Sequence, residues 1–314
     1  VSRRAVVGLL LLGPAVLLLW PEAKPGPTGA WLKAAGLEPR FATVDGSRLR
    51  FVRAGTGPAA VLLHGLASSI YTWKDTLPVL APSHDVVALD LPGFGGSDQP
   101  VPLSGAALPR AVVGLIEGLG LERPALVGHS LGGAVAALAA ARLEGRARRL
   151  VLLDAAGFNL APEDRPALVR LAGSPAGRLL ELLPLRRRAL ALGLRQVFFD
   201  DALVTPERVD EYLAPLARPG AVASVRSLLR DEGLSPAFQA ALASLRLPTL
   251  VVWGREDAWI PVAHADRFAA ALPGSRRVVL EGCGHMPQEE RPAEVARLIA
   301  GFLAEPDPVY PPRP

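Results

Sequence analysis

The chain has 314 residues, of which half are apolar and a fifth are charged. That balance supports a sizeable buried core and excludes a disordered or solvating chain. The formal net charge is only +4 and aromatic residues make up 5%, so there is no basic face interleaved with aromatics, and no nucleic-acid partner is expected.

The N-terminus carries Ser2-Arg3-Arg4, then an apolar stretch from Ala5 to Trp20 broken only by Gly13 and Pro14. A basic start before an apolar segment is the layout of an export signal or signal anchor. The stretch is somewhat shorter than the ~20 residues of a full span, and no small-x-small cleavage site follows it. Residues 1–22 are therefore expected to be an uncleaved membrane anchor; a cleaved signal and a buried or interfacial helix are the alternatives. With the arginines cytoplasmic, the rest of the chain would face outward from the cell membrane, or be secreted or periplasmic after cleavage. A Pro/Gly-rich linker covers 23–39.

Strand and helix patterns then alternate. Phe41 to Val44 and Leu49 to Val52 read as strands around an Asp45-Gly46 turn, and Ala59 to Leu63 as a buried strand. Tyr71 to Leu80 reads as helix, Val86 to Leu89 as strand, and Leu108 to Leu119 as helix. Ala125 to Val127 is a strand, Gly132 to Leu143 a helix, and Leu150 to Leu153 a strand. From 157 to 245 the pattern becomes helical and is broken by prolines such as Pro162, Pro184 and Pro215. Arg186-Arg187-Arg188, in this region, reads as a solvated helix face. Alternation resumes with Thr249 to Trp253 (strand), Ala263 to Leu272 (helix), Arg277 to Leu280 (strand) and Ala293 to Leu303 (helix).

Continuously apolar strands alternating with helices predict an α/β fold, with a mostly parallel sheet covered on both faces. The expected organisation is a core in two parts, 40–156 and 246–304, with a helical cap at 157–245 inserted between them. A Pro-rich tail occupies 305–314.

Gly128-His129-Ser130-Leu131-Gly132 fits G-x-S-x-G between a strand and a helix rich in small residues. A serine on such a bend faces the helix N-terminus, where free N–H groups favour developing negative charge. A serine hydroxyl needs a base. His285, in Gly284-His285 after a strand, is the best of five histidines. His129 would point away from the serine, His64 ends an early strand, and His84 and His264 lie in polar, surface-like contexts. The base in turn needs an acid. Asp257, in Gly254-Arg255-Glu256-Asp257, gives the order Ser, Asp, His, with Asp154 and Glu256 as rivals. The oxyanion would rest on the backbone N–H groups of Leu131 and, in the loop after His64-Gly65, of Leu66. The only cysteine, Cys283, permits neither an intrachain disulfide nor a Cys-based metal site, and no metal or organic cofactor is expected.

With His64-Gly65, Asp90 to Ser97, Gly128 to Gly133, Gly254 to Asp257 with Pro261, and Gly284-His285 with Glu290 and Pro292 all in order, the chain resembles the α/β-hydrolase superfamily, in its esterase/lipase-like branch with an inserted cap. The resemblance implies a serine carboxylesterase or lipase-like enzyme acting through an acyl-enzyme on a small-molecule ester or lipid. Serine at the nucleophile position argues against the epoxide-hydrolase and haloalkane-dehalogenase branches, which carry aspartate. Carbon–carbon bond hydrolases usually show Asn before the serine and Trp after the histidine, where this chain has His129 and Met286. Thioesterase, perhydrolase or haloperoxidase chemistry on the same residues, and a non-catalytic binding protein, are further alternatives. The apolar N-terminus and the leucine-rich 157–245 region point to a lipophilic substrate and membrane association.

Overall fold

The structure is a computed structural model that describes residues 28–160, 166–178, 187–231 and 235–307. The anchor or signal expected at 1–22 lies outside the described residues, as does the tail from 308 onward.

Eight strands form one sheet in the order β1-β2-β4-β3-β5-β6-β7-β8. They are β1 (Arg40–Val44), β2 (Ser47–Ala54), β3 (Ala59–Leu63), β4 (Asp85–Leu89), β5 (Ala125–His129), β6 (Arg149–Leu153), β7 (Thr249–Gly254) and β8 (Arg276–Leu280). β2 pairs antiparallel with both β1 and β4, and every later pairing is parallel. Val44 faces Ser47 across the β1–β2 hairpin. This leaves Asp45-Gly46 as a two-residue turn with both φ values positive, 49° and 77°, the geometry that Asp-Gly favours.

Period-two alternation sends neighbouring residues to opposite faces. Val61, Leu63, Leu126, Leu150, Leu152, Val251 and Trp253 fill one apolar layer. Leu62, Val127, Val151, Leu153, Leu250 and Val252 fill the other. Helices α3 (Ala107–Gly118), α4 (Leu131–Arg142), α9 (Ser235–Ser244) and α10 (Ala263–Ala271) cover the first face. Helices α1 (Ala30–Ala34), α2 (Leu77–Leu80) and α11 (Pro292–Ala304) cover the second. Each fully buried Leu or Val contributes about 1.5–3 kcal/mol before chain entropy is counted.

The structure departs from the sequence reading at several elements. Tyr71 to Leu80 is not one helix but a 3-10 turn, Ile70–Trp73, followed by α2. Pro78 lacks the N–H that a continuous helix would donate to the carbonyl of Lys74. The expected linker contains α1, whose Leu32 enters the core. His84 and His264 are buried rather than surface-like. Residues 305–307 are fastened by the buried guanidinium of Arg149, which donates to the carbonyls of Glu305 (2.5 Å) and Pro306 (2.9 Å).

Between β6 and β7 the described residues form helices and no strand: α5 (Ala167–Gly173), α6 (Arg187–Leu194), α7 (Pro206–Leu216), α8 (Ala221–Arg230) and α9. The last of these packs on α4 through the buried Phe238 and Leu242, within the core layer. Arg187, from the basic run, forms an ion pair with Asp210 that ties α6 to α7.

Candidate active site

The carboxyl ends of the parallel strands meet at one edge, where open α/β sheets place their ligand crevices. Ser130 follows β5 directly, Asp154 follows β6, Asp257 lies three residues beyond β7 and His285 five beyond β8. Ser130 has φ 52° and ψ −120°, a conformation that costs a non-glycine residue roughly 1–3 kcal/mol. The surroundings hold it there. Its N–H donates to the carbonyl of Leu153 (2.9 Å), and its own carbonyl accepts from Gly133 and Ala156 (both 2.9 Å). The bend closes only because its neighbours are small: a Cβ on Gly128 would lie 2.2 Å from the Gly132 oxygen, and one on Gly132 would lie 2.2 Å from the Leu63 oxygen.

The structure brings Ser130, His285 and Asp257 together. His285 Nε2 is 3.0 Å from Ser130 Oγ, and Nδ1 is 2.7 Å from Asp257 Oδ2. All three residues are buried. Asp257 Oδ1 accepts from the N–H groups of Trp259 (2.7 Å) and Ile260 (2.9 Å). Burial pushes the Asp257 carboxyl up, but the His285 charge, its hydrogen bond and the Ile260 N–H outweigh that and hold it below the usual aspartate value. An imidazole in this position can take a proton from the hydroxyl while the carboxylate fixes its tautomer.

The N–H groups of Leu66 and Leu131 find no acceptor among the described residues. The Gly65–Leu66 peptide is oriented by His64, whose Nδ1 donates to the Gly65 oxygen (2.8 Å) while its Nε2 accepts from the Leu91 N–H (3.1 Å). A planar trans peptide points its N–H away from its C=O, so this bond sets the direction of the Leu66 N–H. Burial pushes His64 down, toward the neutral form that a ring donating at one nitrogen and accepting at the other requires.

Several further residues shape the site, in roles that the sequence did not assign to them. His129 Nε2 donates to the carbonyl of His285 (2.7 Å); burial and then the His285 charge push its pKa down to about 3, so it acts as a neutral prop. Glu290 accepts from the N–H groups of Gly284 (3.0 Å) and Met286 (3.2 Å) on either side of His285. Trp259 stacks against the His285 ring at 5.8 Å. Of the two rival acids, Glu256 accepts from the Cys283 N–H (2.9 Å), and Asp154 sits beside Asp257.

A buried polar knot joins the helical insertion to this edge. Glu289 accepts from Thr72 Oγ1 (2.7 Å) and the Tyr212 hydroxyl (2.5 Å), and it pairs with Arg208 (3.1 Å). Around it Tyr71, Leu194, Phe198, Val209, Tyr212 and Met286 form a satellite apolar cluster. A cavity of about 350 Å³ opens between Val197, Phe198 and Phe199 of the insertion and Glu256, Ala258 and Trp259 beside Asp257. A larger one, of about 880 Å³, lies between α1, the first hairpin and α7, and neither cavity is lined by Ser130, Asp257 or His285.

A family model described as the alpha/beta hydrolase family matches residues 60–298. The chain belongs to that family. This alpha/beta hydrolase is 32% identical over 284 residues to an uncharacterised protein of Mycobacterium tuberculosis, covering 86% of this chain and 82% of that one. It is 30% identical to the 2-hydroxy-6-oxo-6-phenylhexa-2,4-dienoate hydrolase of Burkholderia cepacia, over 82% of this chain and 91% of that one. A crystallised membrane phospholipase A, described as a bacterial virulence factor, superimposes with a TM-score of 0.71 at 27% identity, over 96% of this chain and 94% of that one.

The one cluster of potential metal ligands among the described residues of this hydrolase is Asp154, Asp257 and His285. Both ring nitrogens of His285 are already engaged, with Ser130 and Asp257, which leaves the imidazole without a lone pair directed at an ion in that cluster.

Proposed function

We propose that this hydrolase cleaves carboxylic esters of lipophilic substrates through an acyl-enzyme on Ser130. The observation that carries the reading is the continuous hydrogen-bond line from Ser130 Oγ through the His285 ring to Asp257. His285 takes the Ser130 proton as Oγ attacks the ester carbonyl, and Asp257 stabilises the imidazolium. The oxyanion rests on the Leu66 and Leu131 N–H groups. His285 then returns the proton to the leaving alcohol and activates the water that releases the acid. Every proton in this cycle moves between Ser130, His285, substrate and water, so the cycle calls on no cofactor.

A lipophilic ester is favoured by the likeness to the phospholipase, which extends over 96% of this chain, and by the exposed apolar Phe199 at a cavity that borders Glu256, Ala258 and Trp259, the chain neighbours of Asp257. The same reading puts the enzyme at a membrane, held by its N-terminal segment with the catalytic part outside the cytoplasm. Fractionation of cells expressing the full chain tests that placement; recovery in the soluble cytoplasmic fraction refutes it.

The relationship to a dienoate hydrolase supports a second reading, carbon–carbon bond hydrolysis. Against it stand His129 and Met286 beside the triad: His129 props the His285 carbonyl and Met286 packs among Tyr71 and Tyr212. Turnover of p-nitrophenyl esters and monoacylglycerols of rising chain length, set against a vinylogous diketone, separates the two. Ester turnover that rises with chain length and disappears in Ser130→Ala supports the proposal. Faster cleavage of the diketone transfers it to the second reading.

A further inference from the structure

Asp154 is a second carboxyl at the heart of the site, and the serine cycle gives it no task. It follows β6 directly with φ 42°, a left-handed conformation that aspartate tolerates better than most residues. It is fully buried. One of its oxygens, one of Asp257 and a ring nitrogen of His285 all lie within 4.8 Å of one another. The donors around the two acids are divided unequally. Among the described residues, Asp257 receives the Trp259 and Ile260 N–H groups and the His285 ring, whereas Asp154 receives only the Gly254 N–H, on Oδ1 (3.0 Å). Among the described residues no donor reaches the buried Asp154 Oδ2, and the neighbouring acid, with an oxygen within 4.8 Å of one of Asp154, is Asp257, itself an acceptor when ionised. Two facing acceptors repel unless one carries a proton, and like charges this close in a buried site do not both ionise.

We propose that Asp154 carries that proton and donates it from Oδ2 to Asp257, acting as a positioning residue that keeps Asp257 the charged and oriented partner of His285. The charge settles on the acid with three donors and the proton on the acid with one. Burial first, and then the Asp257 charge, push Asp154 well above the ordinary aspartate value. Of the other titratable groups facing the pair, Glu290 acts in the same sense, setting a further negative charge near Asp154, whereas Cys283, pushed up by burial, stays a neutral thiol and His129 is neutral. No electron or group transfer is involved, only a shared proton. The inference rests on Asp257 serving His285, as proposed above.

The test combines infrared spectroscopy with a pH profile. Wild-type protein near pH 7.5 should show the C=O stretch of a protonated, buried carboxylic acid, and Asp154→Asn should lack it. No such difference band overturns the proposal. Asparagine accepts the backbone geometry, keeps an acceptor for Gly254 and still donates to Asp257, so it should leave kcat/KM and the acid limb of its pH profile close to wild type. Were Asp154 ionised, removing its charge would move that limb to lower pH, and such a shift also overturns the proposal. Asp154→Ala, which removes the donor, should lower kcat about ten-fold or more with little change in KM. Full activity in the alanine variant counts against a positioning role. The infrared arm needs no substrate, so a failure of the ester reading leaves it intact, and a failure of the band leaves Ser130 labelling intact.

Discussion

The parallel part of the sheet and the helical insertion between β6 and β7 are held together by different physics. In the sheet, β3, β5, β6 and β7 are buried along their whole length, and apolar layers on both faces fix their register. The insertion is built from short helices interrupted by proline, and it leaves Leu171, Leu192 and Phe199 exposed. Besides the packing of α9 in the core and a small apolar cluster on Tyr71 and Met286, it relies on buried polar contacts: Arg187 to Asp210 within it, and Arg208 and Tyr212 to Glu289 beneath it. The contrast suggests a division of labour. Strand ends hold reacting groups in a fixed geometry, while an insertion of short helices with exposed apolar side chains can vary to suit the substrate without disturbing them.

That division can be broken from either side. On the sheet side the largest effect is expected from Asp257→Asn, which should lower kcat by about 10⁴-fold with the fold unchanged by circular dichroism. Near-normal turnover would move the acid role to Asp154. On the insertion side, Glu289→Ala leaves the Arg208 guanidinium buried without its partner and should cost about 3–5 kcal/mol in urea unfolding. A loss below 1 kcal/mol would mean that the polar knot does not fasten the insertion.

Smaller effects sharpen the comparison. With its pKa raised in the folded state by burial and by Asp257, Asp154 contributes stability that is fully present below its unfolded value, about 4, and is lost as pH rises toward the folded one. Asp154→Asn cannot ionise in either state. Its stability relative to wild type should therefore grow from about pH 4 upward, by at most about 1.4 kcal/mol per pH unit; unfolding curves at pH 5 and 8 check the sign. Phe199→Ala, on the exposed rim of the cavity, should change stability by less than about 0.5 kcal/mol yet raise KM for long-chain esters about 3- to 10-fold. Equal effects on short and long chains would remove Phe199 from substrate contact.

What could be read from the sequence follows the same boundary. Ser130, Asp257 and His285 were legible because each sits in a short local pattern: small residues around a bend, or a Gly-flanked loop after an apolar strand. The α/β fold was legible because buried parallel strands are continuously apolar. The role of Asp154 was not, since charge state depends on how many donors reach each carboxyl across three loops. Nor was the burial of His84 and His264, which depends on residues distant in sequence, such as Arg148 near His84 and Phe158 against His264. The helix in the expected linker escaped because Ala30–Ala34 is only five residues long, too short for periodicity to register. The packing of α9 on α4 depends on contacts about a hundred residues apart, which no local pattern carries.

The central claim is that Ser130 is the nucleophile. Treating the protein and its Ser130→Ala variant with a fluorophosphonate, and reading intact mass, tests it most directly. The account predicts one covalent adduct on wild type, mapped to the peptide containing Ser130, and none on the variant, with both forms equally folded. An adduct that survives in Ser130→Ala, or a folded wild type that takes no label, would contradict it.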